Sequence, residues 1–314
     1  MKASILIPTH NRLPFLQKTL CSLAHLTSAP DTFEVIVVDD GSMDGTQTFL
    51  RQASFPFDFH VLRHAKNRFA AAARNTGIKS ARGEIVVFLD DDMQVVPEFL
   101  EEHLSCHSNE QQKAVVGNIQ MHPNVAQTGM NRYLSTRGAQ KLKPGQSLPF
   151  QYWCSGNASV RKSALMMVGL FDENIRHYGG EDLELSYRLH SRGDVLFHFA
   201  SKAVSYHMHY RTADEVCRLM YNYGRTSLSY MIRKHPALAK TVRADLVQPL
   251  RFGRDPSALL GKKMLVRAAM TPPLAALLKW YTKRSPYGKP SWAFDYVIAY
   301  YYFNGLRKAE NDID

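Results

Sequence analysis

The chain has 314 residues, of which 45% are hydrophobic, and it carries a net charge of +11. This length and composition fit a globular protein with one large domain, or one domain and a sizeable addition, and exclude a fibrous or disordered chain. The four cysteines form no Cys-X-X-Cys pair, so the sequence indicates neither a zinc site nor a disulfide framework. The uncharged stretches fall short of the roughly 20 residues that a membrane span needs, and the first apolar residues resemble a strand rather than a signal peptide. We therefore expect a cytoplasmic protein.

The first hundred residues alternate between apolar runs and helical patterns. The runs predict strands at residues 4–7, 33–38, 60–62 and 85–89, with helices between them at 13–26, 47–53 and 69–80 and a further strand at 115–120. Such alternation predicts an α/β fold of Rossmann type with a mostly parallel sheet and flanking helices. Residues 121–150 are polar and rich in turn residues, and are expected to form either a functional loop or a disordered one.

The character of the chain changes after residue 210, where helical patterns combine basic and aromatic residues. These patterns cover residues 213–235, 258–270, 274–281 and 293–308. Residues 211–314 contain 18 Lys and Arg against 8 Asp and Glu, whereas residues 1–210 contain 21 against 20. We therefore divide the chain into a catalytic α/β domain, residues 1–210, and a basic helical C-terminal region, residues 211–314. The charge asymmetry is typical of a surface for an anionic partner, and an incidentally basic helical face is the alternative.

Three groups of carboxylates lie at the ends of predicted elements. Asp90, Asp91 and Asp92 directly follow the buried strand at 85–89, and ligands of open α/β sheets bind at that edge. Adjacent carboxylates repel one another unless a cation neutralises them, and oxygen ligands suit Mg²⁺ or Mn²⁺. A solvated acidic turn is the alternative for the triplet alone. With Asp39-Asp40 and Glu181-Asp182, the sequence predicts a metal–phosphate site beside a general base.

Seven segments carry a family resemblance, in matching order and spacing over roughly residues 3–210. They are Ile5–Asn11, Val37–Ser42, Ala73–Gly77, Ala81–Asp92, Gly156–Val160, Val168–Glu173 and the Gly179–Leu189 segment that contains Glu181-Asp182. Together they resemble family 2 of the inverting nucleotide-sugar glycosyltransferases, which have the GT-A fold. The resemblance implies transfer of a hexosyl or N-acetylhexosaminyl group from a nucleotide sugar, expected to be UDP-linked, to an acceptor hydroxyl. Such transfer serves polysaccharide, glycolipid or other cell-surface glycan assembly.

The resemblance also implies a donor site at the start of the chain. The loop after the first strand would wrap the nucleobase, so Pro8, Thr9 and Asn11 are candidates for contacts with uracil and ribose. Asp40 would contact the edge of the base. Arg74 lies where a cation would face the diphosphate, although a surface helix arginine is the alternative.

A metal site is implied by the match of the acidic triplet to the family's DXD signature. Asp92 would ligate Mn²⁺ or Mg²⁺, while Asp90 or Asp91 would face the ribose or a metal-bound water. In some relatives a histidine follows the last strand of the catalytic domain as a further ligand. His207 is the preferred candidate here, and His209 is the reserve. For either histidine, the alternative is an imidazole that lines the pocket or contacts the acceptor.

The catalytic base implied by the resemblance is Asp182, with Glu181 as the second candidate. Asp182 would take the proton of the acceptor hydroxyl during a one-step displacement, which inverts the anomeric configuration. Trp153, Gly156 and Asn157 are tentative acceptor residues, and a core position is the alternative for Trp153.

Two other classes of function fit parts of the sequence. A nucleotidyltransferase would also place acidic metal ligands on an α/β sheet, but the loop at Ile7–Arg12 contains no glycine to hold a triphosphate. A nucleic-acid-binding protein would use the basic C-terminal region, but that region lacks a known reader motif. We therefore expect no nucleic acid partner.

The C-terminal region is expected to contact an anionic membrane, at the inner face of the plasma membrane, and to meet a lipid-linked acceptor there. Residues 258–267 and 274–283 mix apolar and basic residues at helical spacing. Trp280, Trp292 and the aromatic run at 300–303 are of the type that favours membrane interfaces. Alternatively, these aromatic residues form the core of a helical cap or a homodimer interface.

Overall fold

The computed structural model of the chain describes residues 1–142 and 146–311. The chain divides into two compact units. The first comprises Met1–Val125, Ser135–Arg176 and Glu181–His209, and the second comprises Ala126–Leu134, His177–Gly180 and Tyr210–Asp314. The sequence analysis drew one boundary after residue 210 and did not anticipate the two short segments that belong to the second unit.

The described part of the first unit contains one eight-stranded sheet with the order β3-β2-β1-β4-β7-β6-β8-β5. Its strands are β1 (Ala3–Thr9), β2 (Phe33–Asp39), β3 (Asp58–Arg63), β4 (Ile85–Leu89), β5 (Met93–Val95), β6 (Lys113–Met121), β7 (Asn157–Arg161) and β8 (Leu196–His207). Strands β1 to β4 pair in parallel, as do β6 and β8, whereas β7 and β5 pair antiparallel with their neighbours. The predicted α/β class is confirmed, and the sheet is mixed, with parallel and antiparallel pairs.

Helices cover both faces of this sheet because the buried strands are apolar on both sides. The helices of the first unit are α1 (Leu13–Leu23), α2 (Thr46–Gln52), α3 (Phe69–Ser80), α4 (Phe99–Ser105), α6 (Lys162–Met167) and α7 (Glu181–Ser191). Successive strand residues alternate between two cores. Leu6 and Phe88 pack in the same core as α3, whereas Ile5 and Val87 pack in the same core as α1.

The predicted elements agree best where the hydrophobic pattern is long. Strand β4 and helix α3 have the predicted bounds, whereas α1 ends at Leu23 rather than at residue 26. The expected loop at 121–150 contains a short helix, α5 (Gly129–Leu134), which belongs to the second unit. Residues 143–145 of that loop lie outside the described residues.

The second unit is helical. Besides α5, it contains α8 (Ala213–Tyr223), α9 (Ser229–Lys234), α10 (Leu238–Thr241), α11 (Ser257–Ala269), α12 (Pro272–Arg284) and α13 (Ser291–Asn311). Thr212 and Glu215 form a capping box at the start of α8. A Cβ atom on Gly305 would lie 2.0 Å from the backbone oxygen of Tyr221, so glycine permits the close packing of α13 on α8.

The aromatic residues of the second unit have two different environments. Phe303 is buried, and Tyr302 stacks on Tyr223 with ring centroids 5.8 Å apart. Trp280 and Trp292 are instead exposed. Across the described residues, no helix combines the length and apolarity needed to cross a membrane. The aromatic run at 300–303 therefore contributes to the packing of the helices, whereas the two tryptophans remain on the surface.

Candidate active site

The topology of the sheet brings two of the three acidic groups to one edge. Strands β1, β2 and β4 are parallel, so Thr9, Asp39-Asp40 and the triplet Asp90–Asp92 all follow their carboxyl ends. Strand β7 is antiparallel to β4 and begins at this edge, with Asn157 opposite Leu89. Strand β8 runs in the same direction as β4, so His207 also lies at this edge. This is the edge at which ligands of α/β sheets bind.

Asp91 and Asp92 are held by one arginine that the sequence analysis did not single out. The Arg12 guanidinium lies 2.5 Å from Asp92 Oδ2 and 3.3 Å from Asp91 Oδ1. The Thr9 hydroxyl donates to Asp91 Oδ2 at 2.7 Å. Arg12 also lies over the ring of Phe15, 5.2 Å from its centroid. A guanidinium therefore offsets part of the negative charge of Asp91 and Asp92, where a divalent ion was predicted.

The two neighbouring carboxylates have opposite pKa shifts. Burial raises the pKa of Asp91 to about 7, opposed by Arg12 and reinforced by Asp92. Burial also acts to raise the pKa of Asp92, but His207 and Arg12 outweigh it and leave the pKa below its ordinary value. Near neutral pH, Asp92 is thus the carboxylate with the permanent negative charge.

His207 lies beside Asp92, as expected of a second metal ligand. Its Nε2 is 3.1 Å from Asp92 Oδ2, and the backbone N–H of Met208 donates to the Asp92 carbonyl at 2.8 Å. The rings of His207 and His209 are 6.2 Å apart, and His209 contacts Phe15 edge to face. His207, rather than His209, contacts a carboxylate oxygen of the acidic triplet.

Arg74 joins the triplet to Glu181, the second candidate for the base. Its guanidinium is buried and lies 3.0 Å from Asp90 Oδ1 and 3.1 Å from Glu181 Oε1. Burial alone would lower the pKa of Arg74, but Asp90, Asp182 and Glu181 raise it. The alternative of a surface helix arginine is therefore wrong.

Asp182 and Glu181 are half-buried acids at the start of α7. The backbone N–H of Ser155 donates to Asp182 Oδ2 at 3.1 Å. Among the described residues, Asp182 Oδ1 and Glu181 Oε2 are buried without a hydrogen-bond partner. Burial raises the pKa of Asp182, and it raises that of Glu181 to about 7, helped by Asp182 and opposed by Arg74. A buried carboxylate with an unpartnered oxygen is suited to accept a proton.

The predicted nucleobase residues surround the turn after β2. His64 Nδ1 donates to Asp40 Oδ1 at 2.6 Å, and the Arg68 backbone N–H donates to the same oxygen. Asn11 has a positive φ of 53° and binds this turn. Its Oδ1 accepts from the Met43 N–H, and its own N–H donates to Ser42 Oγ. Asn11 therefore fixes the loop that follows Pro8 and Thr9 of β1 against this turn.

Two of the tentative acceptor residues are core residues. Trp153 is only 2% exposed, packs edge to face on Phe88, and donates from Nε1 to the Val115 carbonyl. Asn157 is fully buried, bonded to His103 through Oδ1 and to the Ala203 carbonyl through Nδ2. The assignment of both as acceptor contacts is corrected, because neither presents a group at the surface. The alternative of a core tryptophan fits Trp153.

Gly156 packs directly against Asp90 of the triplet. Its carbonyl accepts from the Asp90 N–H at 3.2 Å, and a Cβ atom would lie 3.0 Å from Asp90 Oδ2. Any larger residue would press on the triplet.

The sequence analysis missed Arg12, His64 and Ser155. Arg12 had a usable signal, because it lies in the loop that leaves β1 and so must lie at the same edge as the acids. His64 follows β3 directly and had the same signal. Ser155 had none, because it acts through its backbone N–H.

A second group of possible metal ligands lies elsewhere in the first unit. Among the described residues, Glu34, Asp58 and His60 bring three ligand atoms within 4.8 Å of one another. Arg82 forms ion pairs with Glu34 and with Asp58. These residues lie on β2 and β3, where an arginine already compensates the acids, so we interpret the group as an ion-pair network.

Comparison with solved structures identifies the architecture. A mannosyltransferase of Pyrobaculum calidifontis, solved with GDP-mannose and Mn²⁺, superposes with a TM-score of 0.67 at 20% identity, covering 100% of this chain and 88% of that one. The architecture is a GT-A-type α/β fold followed by C-terminal helices.

Sequence comparison places the chain in a family. It matches glycosyl transferase family 2 over residues 4–169, more than half of its length, and therefore belongs to that family. An uncharacterized glycosyltransferase of Bacillus subtilis, YfnE, is 28% identical over 75% of this chain and 71% of its own length. Validoxylamine A glucosyltransferase of Streptomyces hygroscopicus subsp. limoneus is 29% identical over 75% of this chain, which spans 57% of that relative. The match supports the glycosyltransferase prediction over the nucleotidyltransferase and nucleic-acid-binding alternatives.

Arg12→Gln should destabilise the protein in EDTA by about 1–3 kcal/mol, because it leaves buried carboxylate oxygens without a cation. The loss should be larger at about pH 8 than at about pH 6, since Asp91 loses its proton between these values and adds a second uncompensated charge. Urea unfolding at both pH values measures it. Arg192→Gln, in the exposed pair with Asp194, is the control and should change little. Equal losses for the two variants would show that Arg12 does not neutralise the triplet.

Proposed function

We propose that the chain is a metal-dependent, inverting glycosyltransferase that moves a hexosyl or N-acetylhexosaminyl group from a UDP-sugar to an acceptor hydroxyl. The observation that carries the proposal is the half-buried pair Glu181-Asp182, in which Arg74 links Glu181 to Asp90 of the acidic triplet. A base and a site for an anionic donor thus lie next to each other. Membership of glycosyl transferase family 2 supports the reaction class.

Asp182 is the proposed general base. Its Oδ2 is held by the Ser155 N–H, which orients the carboxyl group, and its Oδ1 has no described hydrogen-bond partner. An acceptor hydroxyl that donates to Oδ1 would lose its proton to Asp182 as its oxygen attacks the anomeric carbon. The nucleoside diphosphate leaves from the opposite face, so a single displacement inverts that carbon.

The residues around Asp92 fit a divalent ion. Asp92 Oδ2 and His207 Nε2 are 3.1 Å apart and supply an oxygen and a nitrogen ligand, and a guanidinium already compensates the same oxygen. Carboxylate oxygen suits Mn²⁺ and Mg²⁺, whereas imidazole is a ligand of transition metals, so the pair favours Mn²⁺ over Mg²⁺. When bound, the ion would stabilise the charge of the diphosphate. Arg12 would then leave Asp92 Oδ2, because both cations compete for that atom.

The donor site is proposed at the ends of β1 and β2. Pro8 and Thr9 would contact uracil or ribose, and Asp40, held by His64, would contact the base. Asp90 or Asp91 would face the ribose. GDP-mannose is the competing donor, because it is bound in the mannosyltransferase that shares the fold.

The acceptor is proposed to be a growing glycan or a lipid-linked sugar. Gly156 and His209 remain candidates for lining its site. The basic charge of residues 211–314 supports a peripheral contact with an anionic membrane, where such an acceptor would be reached from the cytoplasmic side. Self-association as a homodimer would be a separate property of the same helices.

The donor class is tested by thermal shift and by transfer or hydrolysis of a panel of UDP- and GDP-sugars in Mn²⁺. We expect stabilisation and turnover with one UDP-sugar. NMR of the anomeric proton should show a β linkage from an α-linked donor, because the displacement has one step. An α linkage would contradict the proposed mechanism, and turnover of GDP-mannose alone would contradict the proposed nucleotide.

Asp92→Asn should abolish metal-dependent binding of UDP, because it removes the carboxylate that keeps its charge at neutral pH. Isothermal calorimetry in Mn²⁺ and in EDTA measures the effect, and Asp194→Asn, an exposed acid, is the control. Unchanged UDP affinity together with full activity in EDTA would refute the metal site.

Asp182→Asn should leave donor affinity near that of the wild type and lower kcat by roughly 10²–10⁴, the usual contribution of a general base. Glu181→Gln leaves Asp182 in place and should lower kcat less. Steady-state kinetics with calorimetry of donor binding separates the two effects. A wild-type rate for Asp182→Asn, with the loss found in Glu181→Gln instead, would move the base to Glu181.

A further inference from the structure

The second unit has a surface pocket of about 800 Å³ between the end of α12 and the loop that follows it. Three of its lining residues are cations, namely Arg132, Arg284 and Lys289, and none of the described lining residues is an acid. A pocket of this size accommodates a small organic group, and its charge favours an anion.

The walls of this pocket are fixed by packing and hydrogen bonds. The hydroxyls of Tyr281 and Ser285 both donate to the Lys289 carbonyl, at 2.7 and 3.0 Å. A Cβ atom on Gly129 would lie 1.8 Å from the Ser285 carbonyl oxygen, so the loop packs directly on the backbone of α5. The Arg284 guanidinium lies 4.4 Å from the centroid of the Trp280 ring. The cations are thus presented by an ordered frame.

Apolar side chains beside the pocket point to the type of partner. Trp280 is 54% exposed and Tyr287 73%, and both line the pocket. Leu277, one turn before Trp280 on α12, is 60% exposed, and Leu274 continues the same stripe. A soluble anion would leave this stripe in water. A lipid surface would cover the stripe and bring phosphate groups to the cations.

We propose that this pocket binds the phosphate of an anionic phospholipid headgroup, with Leu277, Trp280 and Tyr287 inserted at the membrane interface. The inference rests on the peripheral membrane contact proposed above and assigns it to one site.

Flotation of the full chain with vesicles tests the assignment. The wild type should bind phosphatidylcholine vesicles that contain phosphatidylglycerol and should not bind pure phosphatidylcholine. The double variant Arg284→Gln/Lys289→Gln should bind the anionic vesicles about 30-fold more weakly, because two cations near the headgroups are lost. The control Arg254→Gln/Lys262→Gln removes two exposed cations outside the pocket and should change binding less than about threefold. Equal losses of vesicle binding in the two variants would show that binding depends on the overall positive charge rather than on the pocket, and would overturn the assignment.

A second readout keeps the test independent of folding and of catalysis. Brominated lipids should quench the fluorescence of the wild type more than that of Trp280→Phe, since Trp280 lines the pocket, Trp153 is buried and the exposed Trp292 is not among the lining residues. Metal-dependent donor hydrolysis without vesicles should be equal in wild type and pocket variant. Wild-type hydrolysis without vesicle binding would overturn the membrane inference alone, whereas absent hydrolysis would contradict the proposed function. Inorganic phosphate that stabilises the wild type, without any vesicle binding, would identify the pocket as a site for a soluble anion and overturn the proposal.

Discussion

The concentration of negative charge at one edge of a sheet is the constraint on which the first unit depends. Parallel strands end at the same edge of a sheet, so the carboxylates at their ends lie close together. Burial at that edge makes each uncompensated charge costly. Two arginines meet this constraint in different ways. Arg74 is buried between Asp90 and Glu181, whereas the Arg12 side chain is 32% exposed and rests on Phe15. The Arg74 side chain is therefore held in place, whereas the Arg12 side chain has room to move away from Asp92 when another cation binds.

The same electrostatic effects give the acids of this edge different pKa values. Asp91 and Asp92 are adjacent in sequence, yet burial leaves Asp91 with a pKa of about 7 while His207 and Arg12 keep Asp92 ionised. Burial raises the pKa of Asp182, and only one of its carboxylate oxygens, Oδ2, accepts a hydrogen bond from Ser155. A carboxylate that stays ionised is suited to bind a cation, and a carboxylate with a raised pKa is suited to proton transfer. Environment, rather than residue type, distinguishes the two roles.

The sequence predicted the parts of the fold that depend on local pattern. Strand β4 and helix α3 were placed correctly because a continuous apolar run and a helical pattern with clear ends define them. The edge location of the acids followed from topology. Trp153 and Asn157 were misplaced because a motif gives position along the chain but not depth, and both are buried with their polar atoms bonded. Ser155 could not be predicted, since a backbone donor leaves no trace in residue identity.

In the second unit the aromatic residues separate by their position on helices. On α13, Gly305 permits close contact with α8, and this draws Tyr302 and Phe303 into the packing. On α12, Ala275 and Leu278 fill the buried face, so Leu277 and Trp280 must point to solvent. Exposed aromatic and aliphatic groups in a row, next to clustered cations, are unfavourable in water alone and favourable at a charged lipid interface. The arrangement of α12 is thus better explained by a surface that covers it than by the packing of the unit itself.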